Sequence, residues 1–225
     1  MQSTVKRLTD VDQELSRTIE SLVRQYHDQL SEQVILDKLR FPDNMHERFD
    51  TIPDAHVETL KWLFGHDDSG DDPRVEASKA FITWLQQGSG FFHISGKVGA
   101  GKFTMMKYIC SHKDLDEHLK VWCKGTQLAR GQFFFWKPGT TAQKSLKGLL
   151  RGLLHSILDK TRDLILIAML ERWKLITANF TFSRELDYRD FQDGFDNILE
   201  HAGNSGLYKI ALFIDGLDEF EGRFA

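Results

Sequence analysis

Cysteine and proline are scarce in this sequence, which has two cysteines and four prolines among 225 residues. Cys110 and Cys123 cannot form the disulfide framework of a small secreted domain, and we expect a reduced, cytoplasmic setting. The charged N-terminus lacks the apolar stretch of a secretory signal. Neither cysteine lies in a C-x-x-C pattern and no histidines are paired as H-x-x-x-H, so a zinc enzyme is not indicated.

A long hydrophobic run and a surplus of positive charge are also missing. The longest strongly apolar run, residues 164–170, is far shorter than the ~20 residues of a membrane helix. The formal net charge is −4, which gives no general attraction to nucleic acid or anionic lipid. Lys144, Lys147 and Arg151 share a helical face that we expect to be solvated. We therefore expect partners other than nucleic acid and membranes.

Residues 1–40 are predicted to form an N-terminal helical segment. Its apolar residues are spaced 3, 4, 4, 3, 4 and 4 apart, close to the helical period of ~3.6. They are Leu8, Val11, Leu15, Ile19, Leu22, Tyr26 and Leu30. A helix that packs on its own domain or on a neighbour is the plainer interpretation. A self-associating coiled coil is the alternative.

The rest of the chain is predicted to be a helical lead-in, residues 41–88, and an α/β core, residues 89–225. The lead-in contains helices near 55–64 and 73–87. In the core, three apolar strands alternate with amphipathic helices: FFHIS (91–95), GQFFFW (131–136) and KIALFID (209–215). This alternation is typical of a parallel sheet that carries helices on both faces.

A glycine-rich turn follows the first predicted strand and matches the pattern G-x-x-x-x-G-K. Its residues are Gly96, Lys97, Val98, Gly99, Ala100, Gly101 and Lys102. Glycines let a backbone wrap closely around a phosphate, and the N–H groups then point inward at the start of a helix. Lys102 adds a positive charge for the β- and γ-phosphates. The pattern predicts a nucleotide phosphate site.

The position after this motif departs from the pattern. A Ser or Thr hydroxyl normally binds Mg²⁺ there, whereas this chain has Phe103. Thr104 comes next, but one helical residue turns a side chain by about 100°. We therefore expect weakened Mg²⁺ binding and poor hydrolysis, while nucleotide binding by the loop and Lys102 survives.

Three carboxylates follow the last predicted strand and resemble a Walker B motif. Asp215 ends the strand, and Asp218 and Glu219 come shortly after it. Parallel sheets bind ligands at the carboxyl ends of their strands. Asp215 is the candidate metal residue, and Asp218 or Glu219 is the candidate catalytic base that polarises an attacking water.

Residues 39–225, with GKVGAGK, FFFW, its Leu-rich helix and LFIDGLDEFEG, resemble the NACHT-type P-loop NTPase domain of fungal NOD-like receptors, of the STAND class. The resemblance implies a three-layer α/β/α fold with a parallel sheet. It also implies an ATP- or GTP-dependent signalling switch that forms homo- or hetero-oligomers. His56, Thr59 and Trp62 are implied by position to cover the base.

The sequence differs from this family at its end as well as at Phe103. The chain stops at Ala225, soon after the Walker B motif, so the sheet is expected to be incomplete at the C-terminus. In related folds a further strand lies between the two motif strands. Without it, these strands are expected to expose unpaired edges or to close up imperfectly. The leading hypothesis is a nucleotide-binding switch module with impaired hydrolysis. The alternatives are a non-enzymatic decoy that pairs with full-length receptors, and a competent NTPase in which Thr104 supplies the hydroxyl.

Overall fold

The structure, a computed structural model, describes residues 2–41, 57–65, 72–97, 99–179 and 184–222. The longer helices are α1 (Gln2–Leu39), α3 (Pro73–Gln87), α4 (Lys102–Ser111), α5 (Lys113–Cys123), α6 (Leu146–Lys160), α8 (Leu170–Asn179) and α9 (Tyr188–Ser205). The short helices are α2 (Val57–Leu60) and α7 (Ile165–Ala168), and the strands are β1 (Gln127–Phe134) and β2 (Tyr208–Asp215). No helix in these described ranges is long and apolar enough to cross a membrane.

The two strands pair in parallel and form the whole sheet of the described residues. The register runs from Gln127 opposite Tyr208 to Phe134 opposite Asp215. Helices cover both faces, so the predicted α/β class with a parallel sheet and helices on either side is confirmed, in a mostly helical chain. On one face the sheet packs against α6 and α9, and on the other against α3, α4 and α5.

The prediction of a first strand at residues 91–95 is wrong. This segment has no regular secondary structure, and Phe91 is fully exposed. A strand needs a neighbour for its backbone hydrogen bonds, and this segment pairs with neither of the two strands of the described residues. Phe92 instead contacts the rings of Phe81 and Trp84 on α3, at centroid distances of 5.4 and 5.1 Å. Hydrophobic packing on a helix therefore replaces strand pairing.

The lead-in helices form close to their predicted bounds. Residues 57–64 combine α2 with a 3₁₀ turn at Lys61–Phe64. Helix α3 begins after Asp72, whose carboxylate accepts the Arg74 N–H at 2.8 Å, and Pro73 occupies its first turn. An acidic N-cap followed by proline is a local signal, so the sequence alone predicts this boundary.

The C-terminal end of α1 belongs to the main hydrophobic core. Ile35, Leu36 and Leu39 are buried against α6 to α9. Arg151 of α6 donates hydrogen bonds to the carbonyls of Lys38, Leu39 and Arg40 at 3.0, 2.9 and 2.5 Å. The expected solvated role of Arg151 is therefore wrong. Its guanidinium satisfies the last carbonyls of α1, and burial lowers the pKa of this side chain.

Gly148, at the start of α6, allows a close approach of the preceding 3₁₀ turn to this helix. A Cβ atom at this position would lie 1.6 Å from the carbonyl oxygen of Ala142. Backbone cannot give way as a flexible side chain can. The 3₁₀ turn at Ala142–Lys144 can therefore pack against α6 only if residue 148 has no side chain.

We predict that Gly148→Ala lowers the free energy of unfolding by about 3 kcal/mol or more, because the methyl group displaces the Ala142 carbonyl. Urea unfolding measures the change. The matched control is Gly203→Ala in α9, where a Cβ meets no atom within 4 Å. The free energy of unfolding of this control should rise by up to about 1 kcal/mol, because alanine has a higher helix propensity than glycine. Equal effects of the two substitutions would contradict the packing.

Candidate functional site

The glycine-rich turn leads directly into α4, as the phosphate-loop pattern predicts. Gly99 and Gly101 have φ angles of 78° and 76°, in the left-handed region that favours glycine. The Ala100 N–H donates to the Lys97 carbonyl at 3.1 Å and closes the turn. Val98, a predicted binding residue, lies outside the described residues. The turn is exposed, so its backbone is accessible to a ligand.

Lys102, the first residue of α4, extends its side chain across this turn. Its ammonium donates to the carbonyls of Gly96 and Lys97 at 2.9 and 3.3 Å. An ammonium group has three N–H donors, so one remains for an anion. The geometry thus places a positive charge at the mouth of the turn, beside the N-terminal end of a helix where the backbone dipole also favours negative charge.

Helix α4 runs antiparallel to the two strands, and this places the turn at the carboxyl edge of the sheet. In its first turn, Phe103 contacts Phe134, the last residue of β1, with ring centroids 5.6 Å apart. In its last turn, the Cys110 carbonyl accepts a hydrogen bond of 3.4 Å from the Arg130 guanidinium. Arg130 lies in β1, four residues before Phe134. The start of α4 therefore lies at the strand ends, where Asp215 is also found.

Asp215 belongs to the sheet face that α4 covers. Side chains alternate between the faces of a strand, so Asp215 shares a face with Phe213 and with its register partner Phe134. Both phenylalanines pack in the cluster that contains α4. Asp215 is half-buried. The glycine-rich turn and the predicted metal carboxylate thus lie at the same edge and on the same face of the sheet.

Phe103 occupies the position where a metal-binding hydroxyl is expected, and its ring is directed toward the sheet. The edge-to-face contact with Phe134 keeps this ring against the end of β1. Thr104 is half-buried one residue further along α4. The contact explains how an aromatic residue fits beside a polar turn. It leaves position 103 with no oxygen for a cation.

The two candidate bases have different surroundings. After β2, Gly216 has a φ angle of 72° and turns the chain into a 3₁₀ turn at Leu217–Glu219. The Glu219 carboxylate accepts the Lys137 backbone N–H at 2.7 Å. Asp218 is exposed. Glu219 therefore holds the loop that follows β1, a contact between distant parts of the chain that no sequence pattern indicated.

Metal coordination at this edge has one candidate ligand from the protein. Within the described residues, no group of three or more His, Cys, Asp or Glu side chains is arranged to hold a metal ion. Mg²⁺ usually takes only one or two carboxylates and completes its shell with phosphates and water. The metal role of Asp215 stays a prediction.

The three lead-in residues that the family resemblance implies would cover the nucleotide base differ in their surroundings. Trp62 is partly buried in the cluster around α3, α4 and α5, Thr59 is exposed, and His56 lies outside the described residues. Trp62 therefore contributes to the core.

Phe134 is a site residue that the sequence analysis did not single out. Its ring is the support on which Phe103 rests. The run of aromatic residues FFFW at 133–136 was a signal that this strand end is more apolar than a metal site requires.

Burial also raises the pKa of the Cys110 thiol, at the other end of α4, to about 12.

These features define an α/β domain with a glycine-rich turn and an acidic strand end at one edge of a small parallel sheet. The family model described as nephrocystin 3, N-terminal, matches residues 75–224, which is two thirds of the chain. The chain belongs to this family. Comparisons with curated proteins and with solved structures give no match.

Proposed function

We propose that this chain is a nucleotide-binding signalling switch module of the NACHT class, with a P-loop NTPase fold and impaired hydrolysis. The observation that carries the proposal is the Lys102 ammonium, which the Gly96 and Lys97 carbonyls hold across the glycine-rich turn. A cation fixed at a helix N-terminus beside exposed backbone N–H groups is suited to a polyphosphate. The family resemblance of residues 39–225 supports the same function.

The nucleotide would be ATP, GTP or the corresponding diphosphate. Its phosphates would contact the turn and Lys102, while Asp215 faces the same edge of the sheet. Mg²⁺, bound weakly through Asp215, would neutralise phosphate charge. In this proposal the phosphate-binding groups come from the turn before α4 and from Lys102, and the metal carboxylate comes from β2, so both segments are needed for the site.

Hydrolysis is expected to be slow because two of its requirements are poorly met. Phe103 supplies no hydroxyl for the metal. Glu219 is engaged with the Lys137 N–H, and exposed Asp218 remains as the candidate base. Slow turnover suits a switch, since the lifetime of each nucleotide state then sets the duration of the signal.

We predict that purified protein binds ADP or ATP and that Lys102→Ala weakens this binding at least tenfold, about 1.4 kcal/mol. The loss follows from removing the cation at the mouth of the turn. Isothermal titration with and without Mg²⁺ measures the affinity. Lys113→Ala, at an exposed lysine that begins α5, is the matched control and should bind like the parent. No binding to folded parent protein would overturn the proposal.

We predict that Phe103→Ser raises Mg²⁺-dependent nucleotide turnover about tenfold or more, because it restores a metal-binding hydroxyl at the start of α4. Phosphate release measures the rate. Thr104→Ala tests the competing hypothesis. If Thr104 already supplies the hydroxyl, this variant loses turnover in the parent background. A rate that is unchanged in Phe103→Ser would contradict the role assigned to position 103.

A second candidate function, a non-enzymatic interaction protein, is favoured by the surface of α1. The helix extends well beyond its buried end, and its apolar residues stay about half exposed or more: Leu15, Ile19, Leu22, Val23 and Tyr26. Large apolar side chains in a row along one helix are typical of a surface that pairs with another helix. The partner would be a full-length relative.

If α1 has this function, the chain should co-purify with a full-length relative and this association should survive Lys102→Ala. Leu22→Glu places a charge in the apolar row and should abolish the association, while the fold should tolerate it because Leu22 is 59% exposed. Quantitative pull-down from co-expressed pairs measures the effect, with Glu20→Gln on α1 as the control. Association that depends on Lys102 would favour the switch instead.

A further inference from the structure

A cavity of about 540 Å³ lies at the opposite end of the sheet from the glycine-rich turn. It is formed by α5, the turn that follows it, the beginning of β1 and the last turn of α6. Its charged lining residues are Asp116, Lys120, Arg130 and Lys160. Arg130 and Phe134 are four residues apart in β1, which separates the cavity from the turn by roughly 13 Å along the strand.

Most of the charged side chains that line this cavity are cationic. The lining has three cationic side chains and one carboxylate, and two further carboxylates, Glu117 and Asp159, lie close to Lys120 and Lys160. Arg130 is largely buried, with 11% of its side chain exposed, and pairs with Asp116 at 3.0 Å. Lys120 pairs with Glu117 at 2.7 Å. No ion pair is found for Lys160 among the described residues.

Lys160 lies in an environment that disfavours its own charge. Burial lowers the pKa of its ammonium, and the neighbouring Arg130 lowers it further. Asp116 and Asp159 offset part of this effect, but Arg130 and Lys160 remain neighbouring cations that repel each other, and of the two only Arg130 forms an ion pair within the described residues. An anionic ligand between them would relieve that repulsion.

The backbone of β1 also offers donors at this place. The N–H groups of Gln127 and Phe135 donate toward β2, to the carbonyls of Leu207 and Asp215. Backbone groups in a parallel ladder alternate in direction, so those of residues 128 and 130 point away from β2, toward the open edge of β1.

The next outward N–H along this edge, that of Gln132, is already occupied, because it donates to the Ser156 hydroxyl at 3.1 Å. The open stretch is therefore short. It suits a small ligand better than an added strand.

We propose that this cavity binds a small organic phosphate. A phosphate monoester carries close to two negative charges near neutral pH, so it would be attracted to the neighbouring Arg130 and Lys160 side chains. The Arg130 guanidinium and the Lys160 ammonium would bind its oxygens, with Asp116 displaced from Arg130. The volume exceeds that of a phosphate ion and falls in the range of small-molecule sites. Leu128 and Cys123 provide apolar contact for the rest of the molecule.

Ribose 5-phosphate is the probe, and isothermal titration on the Lys102→Ala protein measures its binding without the glycine-rich turn. We expect ribose 5-phosphate to bind and ribose to give no heat. Lys160→Gln and Arg130→Gln should each weaken binding at least tenfold. Asp116→Asn should tighten it, because a competing carboxylate is removed. Lys113→Gln on α5, outside the cavity, is the control and should leave the affinity unchanged.

The Asp116 and Lys160 variants keep the test decisive if Arg130→Gln does not fold. Lys160 makes no ion pair among the described residues, so thermal melting should show that its variant keeps the parent stability. A folded protein that does not bind ribose 5-phosphate would overturn the proposal. So would binding that Lys160→Gln and Asp116→Asn both leave unaltered. Since the background lacks Lys102, failure here leaves the nucleotide proposal intact.

Discussion

The parallel pairing of β1 with β2 is the constraint on which the rest of the structure depends. Its register places Phe134 opposite Asp215, and both residues share the face that α4 covers. Phe103 rests on Phe134, so the start of α4 and the turn before it are brought to the carboxylate. A shift of one residue would turn Asp215 to the other face of the sheet, toward α6 and α9. The candidate site therefore exists only in this register.

The sequence predicts those elements whose signals are local. The Asp72-Pro73 cap predicts the start of α3, leucine spacing predicts α6, and the apolar runs predict β2 and the second half of β1, which begins four residues earlier than expected. It fails at residues 91–95, because strand formation depends on a neighbouring strand as well as on apolar residues. It also fails for Arg151. The sequence predicts a solvated helix residue there, whereas in the structure this side chain donates to a carbonyl at the end of α1. Both failures concern contacts between segments far apart in the chain.

The same distinction holds within the candidate site. The glycine-rich turn and Lys102 are contiguous, and their spacing alone indicates how the backbone bends and where the cation lies. Glu219 is different, because its partner Lys137 is 82 residues away. A carboxylate that follows a strand can bind a metal, polarise a water or hold a loop, and its residue type is the same in each case. Only the surrounding structure distinguishes these functions.

The glycine-rich turn is held from both sides. Residues 91–95 lack strand pairing, and Phe92 packs on α3 instead. Helix α4, in contrast, contacts β1 at both ends, through Phe103 on Phe134 and through the Cys110 carbonyl bound by Arg130. The aromatic ring at position 103 thus gives α4 an apolar contact with the end of β1, where the phosphate-loop pattern has a metal-binding hydroxyl. Under the proposed function, the residue expected to weaken hydrolysis is therefore also one that packs α4 on the sheet.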